Sequence, residues 1–319
     1  MFRGAIYNTL SEAYLTTLSD VYHNGSPLKG TSKEEQLNNP NNLNDFKQLI
    51  NNDNYYYNRA PSKELHNYSF TIKNPSITES LTTKSNKHNE IIVNYTEKET
   101  KYFDDGDIHN MDKLSKVWDT IKNPDGTVNA NYGYMVYHMF DAWNEQFDPS
   151  NKMNQWDWAK KRLILNKQTL QAYLHFNRPK DQWMMNLDQP CTMYIQFVIR
   201  NDKLNLYANM RSNDIVYGTP YNIAYFIKLQ HRMCNELKEC YPNLEIGDYI
   251  HHTTSIHYYI RNEDRVKQML GINTLSYRLK QTTSCVANSL KIIVLFLVYM
   301  YVLFLLIVGT NMIGFKISF

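Results

Sequence analysis

Residues 192–211 read TMYIQFVIRNDKLNLYANMR, and this stretch decides the fold. In its first half Met193, Ile195, Phe197 and Ile199 alternate with polar partners, and in its second half Leu204, Leu206, Ala208 and Met210 do the same. A period of two is the signature of a half-buried strand. Asn201-Asp202-Lys203 supplies the connection, so the stretch is a β-hairpin.

Working outward, residues 155–165 have helical spacing with Trp156, Ala159 and Leu163 on one face, and 170–176 read as a strand. Residues 222–237 read as a helix, and 248–261, aromatic and β-branched, as a strand. Upstream, Ile6, Leu10, Tyr14 and Leu18 place a helix over 2–22, and 23–57 are polar, Asn-rich loop. Residues 68–72 alternate like a strand before Asn74-Pro75, and 75–89 are again polar. Residues 91–103 read as a helix and 111–121 as a short one, ended at the turn Asn123-Pro124-Asp125-Gly126. No internal repeat is present. This order predicts an α+β fold: a twisted mixed sheet with flanking helices.

The chain has 319 residues, 43% of them hydrophobic, which suits one large domain or one domain with appendages. A formal net charge of +3 with no basic stripe argues against a nucleic-acid partner. Cys191, Cys234, Cys240 and Cys285 have neither disulfide nor zinc spacing, so no metal is expected. Free thiols fit a reducing cytosol, and the first residues lack the apolar core of a signal peptide. Residues 292–309 (IIVLFLVYMYVLFLLIVG) carry no charge. That is close to the ~20 residues a helix needs to span a bilayer. Arg278, Lys280 and Lys291 precede the run and only Lys316 follows it, which keeps the preceding domain in the cytoplasm. The expected organisation is a catalytic domain over 1–284 and a transmembrane anchor over 285–319. A buried helix or a shifted reading frame are the other readings of this tail.

Chemistry concentrates between Asp188 and Arg261. In order come Gln189-Pro190-Cys191-Thr192, Gln196-Phe197, Met210-Arg211-Ser212-Asn213-Asp214, Gly218-Thr219-Pro220-Tyr221-Asn222 and Ser255-Ile256-His257-Tyr258-Tyr259. These segments resemble the thymidylate synthase and pyrimidine hydroxymethylase family, in its divergent, virus-type members. The close match covers 129–261. The resemblance implies a homodimer packed through the sheet. It also implies transfer of a one-carbon unit from 5,10-methylenetetrahydrofolate to C5 of dUMP, or of a related deoxynucleotide such as dCMP.

The resemblance gives each residue a role, and elementary chemistry gives each a plainer alternative. Cys191 is the nucleophile; alone, a cysteine after a proline at a strand start is more often a small buried hydrophobe. Arg211 holds the substrate phosphate and, as a nearby cation, can favour the thiolate; otherwise it is a surface arginine at a hairpin end. Ser212 donates to the phosphate and Asp214 receives the folate pterin, although both types also favour turns and caps. Asn222 reads the base, or is a helix N-cap with no ligand. Its amide offers an acceptor and two donors, which suits uracil's N3–H and O4, whereas a carboxylic acid would suit cytosine better. His257 and Tyr259 share one face of a strand and hold the deoxyribose 3′-hydroxyl. Trp118 lines the folate site and Tyr132 assists proton removal from C5; both could equally be core aromatics. Glu99 organises proton transfer, or is a solvated helix residue. Arg59 is the mobile phosphate-loop arginine.

Three departures from the family pattern stand out. Thr169-Leu170-Gln171 occupies the place of a Ser-Arg-Arg segment whose arginines cross the dimer, with Arg178 or Lys167 as substitutes. Thr192 replaces a histidine and Met210 a glutamine. Little polar chain follows Tyr259, so the segment that closes over folate is not expected, which favours water attack and a hydroxymethyl product. A catalytically inactive nucleotide-binding member is the remaining alternative.

Overall fold

The computed structural model describes residues 4–30, 34–35, 38, 60–140, 146–147, 149–150, 152–183 and 186–272. In chain order these contain β1 (Ala5–Tyr7), α1 (Leu10–Asn24), β2 (Ser26–Leu28), β3 (Ser62–Ile72), α2 (Asn86–Asp105), α3 (Lys116–Ile121) and α4 (Gln155–Leu165). Then come β4 (Tyr173–His175), β5 (Thr192–Arg200), β6 (Lys203–Met210), β7 (Asn213–Asp214), α5 (Thr219–Leu237), β8 (Glu245–Tyr259) and α6 (Glu263–Met269).

The strands form one mixed sheet of order β1-β3-β8-β6-β5-β4, with β2 on β3 and β7 on β8. The predicted hairpin is present: β5 and β6 pair antiparallel from Arg200↔Lys203 to Thr192↔Met210. Asn201 and Asp202 take φ of 51° and 54° at its tip, a conformation Asn and Asp tolerate better than most residues. β6 and β8 run parallel, which needs a long crossover. α5 is that crossover, and it lays Tyr221, Ile223, Phe226, Met233 and Leu237 in the core, packing on β6 and β8. The alternation seen in sequence buries Ile195, Phe197, Ile199, Leu204, Leu206 and Ala208. Gln230, buried on α5, donates from its NH₂ to the Leu204 carbonyl at 2.8 Å, so that donor is not left without a partner in the core.

Several boundaries differ from the sequence reading. The helix expected over 2–22 starts at Leu10 because Thr9, extended at φ −133°, caps it by accepting from the Glu12 amide. Ala5–Tyr7 instead pair with Phe70–Ile72. The strand expected over 68–72 extends back to Ser62, since its whole length pairs with β8 from Ser62↔Tyr259 to Ile72↔Tyr249. Its first half buries Ser62 and Glu64, so no apolar period marks it. The helix expected over 111–121 breaks into a 3₁₀ turn at Met111–Lys113 and α3, with Ser115 as N-cap between them. The strand expected over 170–176 is regular only from Tyr173 to His175.

No helix among the described residues is long and apolar enough to cross a membrane. The run 292–309, with the anchor expected over 285–319, lies outside the described residues, as does Arg59.

Candidate active site

Cys191 immediately precedes β5, where a register shift between Thr192 and Tyr194 loosens the pairing with β6. Arg211, just past the end of β6, closes this corner. Its backbone N–H donates to the Cys191 carbonyl at 2.9 Å. Its guanidinium donates from Nη2 to the Gln189 carbonyl at 2.7 Å and from Nε to the Pro190 carbonyl at 3.1 Å. The arginine thus clamps the turn that presents the cysteine. Cys191 keeps some exposure, but its thiol is closely surrounded, and burial pushes its pKa up. Arg211 pulls it down, while Asp188 and Asp214 add to the upward push. The expectation that Arg211 favours the thiolate holds in direction only: burial outweighs it, and the ligand-free site favours the neutral thiol.

The Tyr132 hydroxyl faces the same turn. It accepts from the Thr192 Oγ1 at 3.0 Å and from the Thr192 N–H at 3.4 Å. Its ring lies 5.4 Å from Phe103, 4.8 Å from Phe176 and 5.9 Å from Phe226. Burial, then the charge of Cys191, raises its pKa far above the ordinary tyrosine value. Thr192 therefore positions Tyr132 from the place where the resemblance has a histidine.

Glu99 is buried on α2, on the stripe His88, Ile92, Glu99, Phe103. Burial raises its pKa to about 8, against a hydrogen bond from Tyr95 that lowers it. Glu99 also acts electrostatically on Tyr132 and Tyr221. Trp118, half-buried on α3, donates from Nε1 to the Tyr95 hydroxyl at 3.3 Å. Trp118, Tyr95 and Glu99 thus form one chain, and the solvated-helix reading of Glu99 is excluded by its burial.

The opposite wall comes from β7, α5 and β8. Ser212 is half-buried between β6 and β7. Asp214 pairs in register with His257, and its Oδ1 accepts from the amides of Val216 at 2.8 Å and Tyr217 at 3.1 Å. Burial lifts its carboxyl to about 6 against those two bonds. The turn role considered from sequence is real for one oxygen. Asn222, in the first turn of α5, accepts at Oδ1 from Asn213 Nδ2 at 3.4 Å. The rings of His257 and Tyr259 lie 5.3 Å apart on one face of β8.

The two substitutes expected for the cross-dimer arginines both carry an acidic partner within the chain. Arg178 holds both oxygens of Asp181 at 2.8 and 3.0 Å, and Lys167 pairs with Asp202. Sequence reading also missed Asp188, Tyr95, Asn213, Thr219 and His251. Asp188 is buried, and its Oδ2 accepts from the amides of Asn129 at 2.6 Å and Ala130 at 2.8 Å. It ties the nucleophile turn to the segment carrying Tyr132, and burial lifts it to about 6. Its place beside Gln189-Pro190-Cys191 was the available signal. A cavity of about 600 Å³ lined by Trp158, Tyr173, His175 and Arg178 lies elsewhere. Size alone does not locate chemistry, and that cavity includes neither Cys191 nor Glu99.

Fold and site define a class: α+β proteins that present a cysteine at a strand start to an arginine, a tyrosine and a buried carboxyl. Such a set can carry covalent catalysis with proton transfer. The family model described as thymidylate synthase matches residues 54–285. The chain belongs to the thymidylate synthase family. It is 28% identical over 162 residues to a thymidylate synthase of Bacillus subtilis subsp. natto, covering 50% of this chain and 54% of that protein. It is likewise 28% identical over 153 residues to a deoxycytidylate 5-hydroxymethyltransferase of Enterobacteria phage T6, covering 46% and 58%. These matches span about half the length of those relatives. The thermostable thymidylate synthase A from Bacillus subtilis shares the fold with a TM-score of 0.55 and 19% identity, over 82% of this chain and 84% of that one.

Proposed function

We propose that the chain transfers a one-carbon unit from 5,10-methylenetetrahydrofolate to C5 of dUMP, forming dTMP. The observation that carries this reading is the juxtaposition of Cys191, clamped through Arg211, with Tyr132 and a Glu99 that holds its proton to about pH 8.

In this reading Cys191 loses its proton and its sulfur bonds to C6 of the pyrimidine. The C5–C6 electron pair moves onto C5 and O4, and C5 then bonds to the methylene carbon of the folate as the first of that carbon's two C–N bonds breaks and the freed nitrogen takes up a proton. The ionised form of Glu99 ends with the C5 proton, relayed through the Tyr132 hydroxyl, which passes on its own proton as it accepts this one, while the second folate nitrogen departs. Hydride from tetrahydrofolate then gives the methyl group and dihydrofolate, and Cys191 leaves C6. Arg211, Ser212 and Arg59 hold the phosphate, and His257 with Tyr259 the 3′-hydroxyl. Asn222 holds the base edge. Asp214 and Trp118 hold the folate; one carboxylate oxygen fixed by two amides and a half-buried indole fit a planar, hydrogen-bonding pterin.

The second reading is hydroxymethyl transfer, in which water in place of hydride meets the exocyclic methylene. The similarity to a phage deoxycytidylate hydroxymethyltransferase favours it. Products separate the two: dihydrofolate with dTMP, or tetrahydrofolate with the hydroxymethyl nucleotide. Both require a covalent adduct of 5-fluoro-dUMP on Cys191 when methylenetetrahydrofolate is present. Cys191→Ala is expected to abolish the adduct while dUMP still binds. An intact chain that binds dUMP yet forms no adduct would leave only a nucleotide-binding role.

The same reading includes a homodimer packed through the sheet and a cytoplasmic catalytic domain held at a membrane by 285–319. Detergent-dependent solubility of the full chain, lost in a chain ending at Ser284, is the expected result for the anchor.

A further inference from the structure

Resting on the proposed nucleotide site, we propose that Asn213 decides which way the Asn222 amide faces, and thereby which pyrimidine edge Asn222 accepts. Asn213 is buried on β7 and its side chain meets three polar neighbours. Its Oδ1 lies 2.6 Å from Thr219 Oγ1 and 3.1 Å from His251 Nε2, and its Nδ2 lies 3.4 Å from Asn222 Oδ1. The 2.6 Å separation belongs to an O–H···O bond and is short for N–H···O, which identifies the inner amide atom as oxygen.

His251 fixes the same polarity from the other side. It is fully buried, stacked on Phe70 at 4.9 Å, and its Nδ1 lies 2.9 Å from the Tyr249 hydroxyl. Burial, with His252 nearby, lowers its pKa to about 3, so the ring is neutral and carries one N–H. Because Asn213 Oδ1 can only accept, that N–H sits on Nε2, and Nδ1 is left to accept from the Tyr249 hydroxyl. The chain of donors runs Tyr249, His251, Asn213, Asn222. A neutral amide can flip at little cost in water. Here a flipped Asn222 would set its NH₂ against the NH₂ of Asn213, a donor facing a donor. Gly218 keeps the junction clear, since a Cβ there would come within 3.3 Å of Asn213 Nδ2 and 3.4 Å of Asn222 Oδ1.

A fixed amide complements one base only. Uracil presents N3–H and O4, a donor and an acceptor; cytosine presents N3 and N4–H₂, the reverse order. An Asn222 free to turn accepts both. Asn213 is therefore a positioning residue for specificity, supported by Thr219, His251 and Tyr249.

The test is the ratio of dissociation constants for dUMP and dCMP, measured by calorimetry on the full chain, which needs no turnover. The intact chain is expected to prefer one nucleotide. Asn213→Ala is expected to bring the ratio at least tenfold nearer to one, mainly by tightening the disfavoured nucleotide. Asn213→Asp, which has no donor for Asn222 Oδ1, is expected to draw the Asn222 NH₂ towards itself and reverse the preference. Thr219→Val keeps the shape, removes one donor and is expected to weaken the ratio in the same direction; it carries the test if the Asn213 variants do not fold. Equal loss for both nucleotides, or an unchanged ratio, overturns the inference. A preference for dCMP in the intact chain overturns the uracil reading alone, because the ratio in the variants still reports the lock. An intact chain that binds neither nucleotide overturns both.

Discussion

Glu99 keeps its proton where an ordinary glutamate has lost it, and the cause is its place on a buried stripe. Burial raises its pKa to about 8 from the usual 4.5, more than the Tyr95 hydrogen bond lowers it. Between those values the unfolded chain has released the proton and the folded chain retains it, so this group makes stability fall as pH rises through the window. The slope is up to about 1.4 kcal/mol per pH unit. Below the window both states are protonated and no penalty exists; above it the penalty is complete. Glu99→Gln is expected to flatten that slope, raising Tm relative to the parent at pH 9 and leaving it nearly unchanged at pH 4.5, in a thermal unfolding series. In the proposed reaction the same variant loses proton transfer, and a fall in kcat on the order of 10²-fold or more is expected. A parent whose Tm is insensitive to Glu99→Gln across this range would show the carboxyl to be solvated. The candidate site residues were proposed from sequence because five short motifs occur in order. Their proton affinities were not, because burial of Glu99 and Cys191 depends on which helices and strands close over them. Asn213 was invisible for another reason: it occupies the position between Ser212 and Asp214 to which the motif assigns nothing.

At the scale of elements, the hairpin β5–β6 was legible from its period of two, and α4 from its period of 3.6, because each buries one clean face. The first half of β3 was not, since Ser62 and Glu64 are buried by backbone pairing with β8 and leave no apolar pattern. The element that matters most for chemistry is the short π-helical segment at Tyr134–His138 and the residues before it. It brings Tyr132 against the end of α2, and Gly133 makes the approach possible. A Cβ at Gly133 would lie 1.7 Å from the Phe103 carbonyl oxygen, a backbone atom that cannot swing aside. Gly133→Ala must therefore push the segment off α2 and with it the Tyr132 hydroxyl off Thr192. Destabilisation of about 3 kcal/mol or more is expected, read as a lower urea midpoint. Tyr132→Phe, by contrast, removes only one buried hydroxyl, with its two hydrogen bonds from Thr192, and is expected to cost about 1–2 kcal/mol. If Gly133→Ala unfolds at the parent's midpoint, the close approach of this segment to α2 is not real.

At the scale of the whole molecule, the sheet has two unequal faces. α1 packs on β3 and β8, and α5 packs on β6 and β8, where Leu204, Leu206 and Ala208 of β6 are buried. The face opposite those three residues turns Tyr194 and Gln196 of β5 outward beside Asn209 and Tyr207 of β6, cross-strand partners in register, with Ile250 and His252 of β8 next in line. Tyr194 and Tyr207 are each 37% exposed. Aromatic rings with a polar tip on a sheet face left open among the described residues are what a protein–protein contact uses: large buried area, two rotatable bonds each, and a hydroxyl that stays hydrogen-bonded. A second copy of the chain, stacking face to face, is the proposed cover. Tyr194→Lys with Tyr207→Lys puts four ammonium groups into that contact across the two copies. Those charges lose water without gaining partners, a cost of several kcal/mol, while in a lone copy they point to solvent and change little. Sedimentation at about 10 µM is expected to give twice the chain mass for the parent and the single mass for the double variant, with nearly equal Tm for the isolated fold. A parent that sediments at single mass at that concentration leaves the sheet face open, and the partner role assigned to it falls.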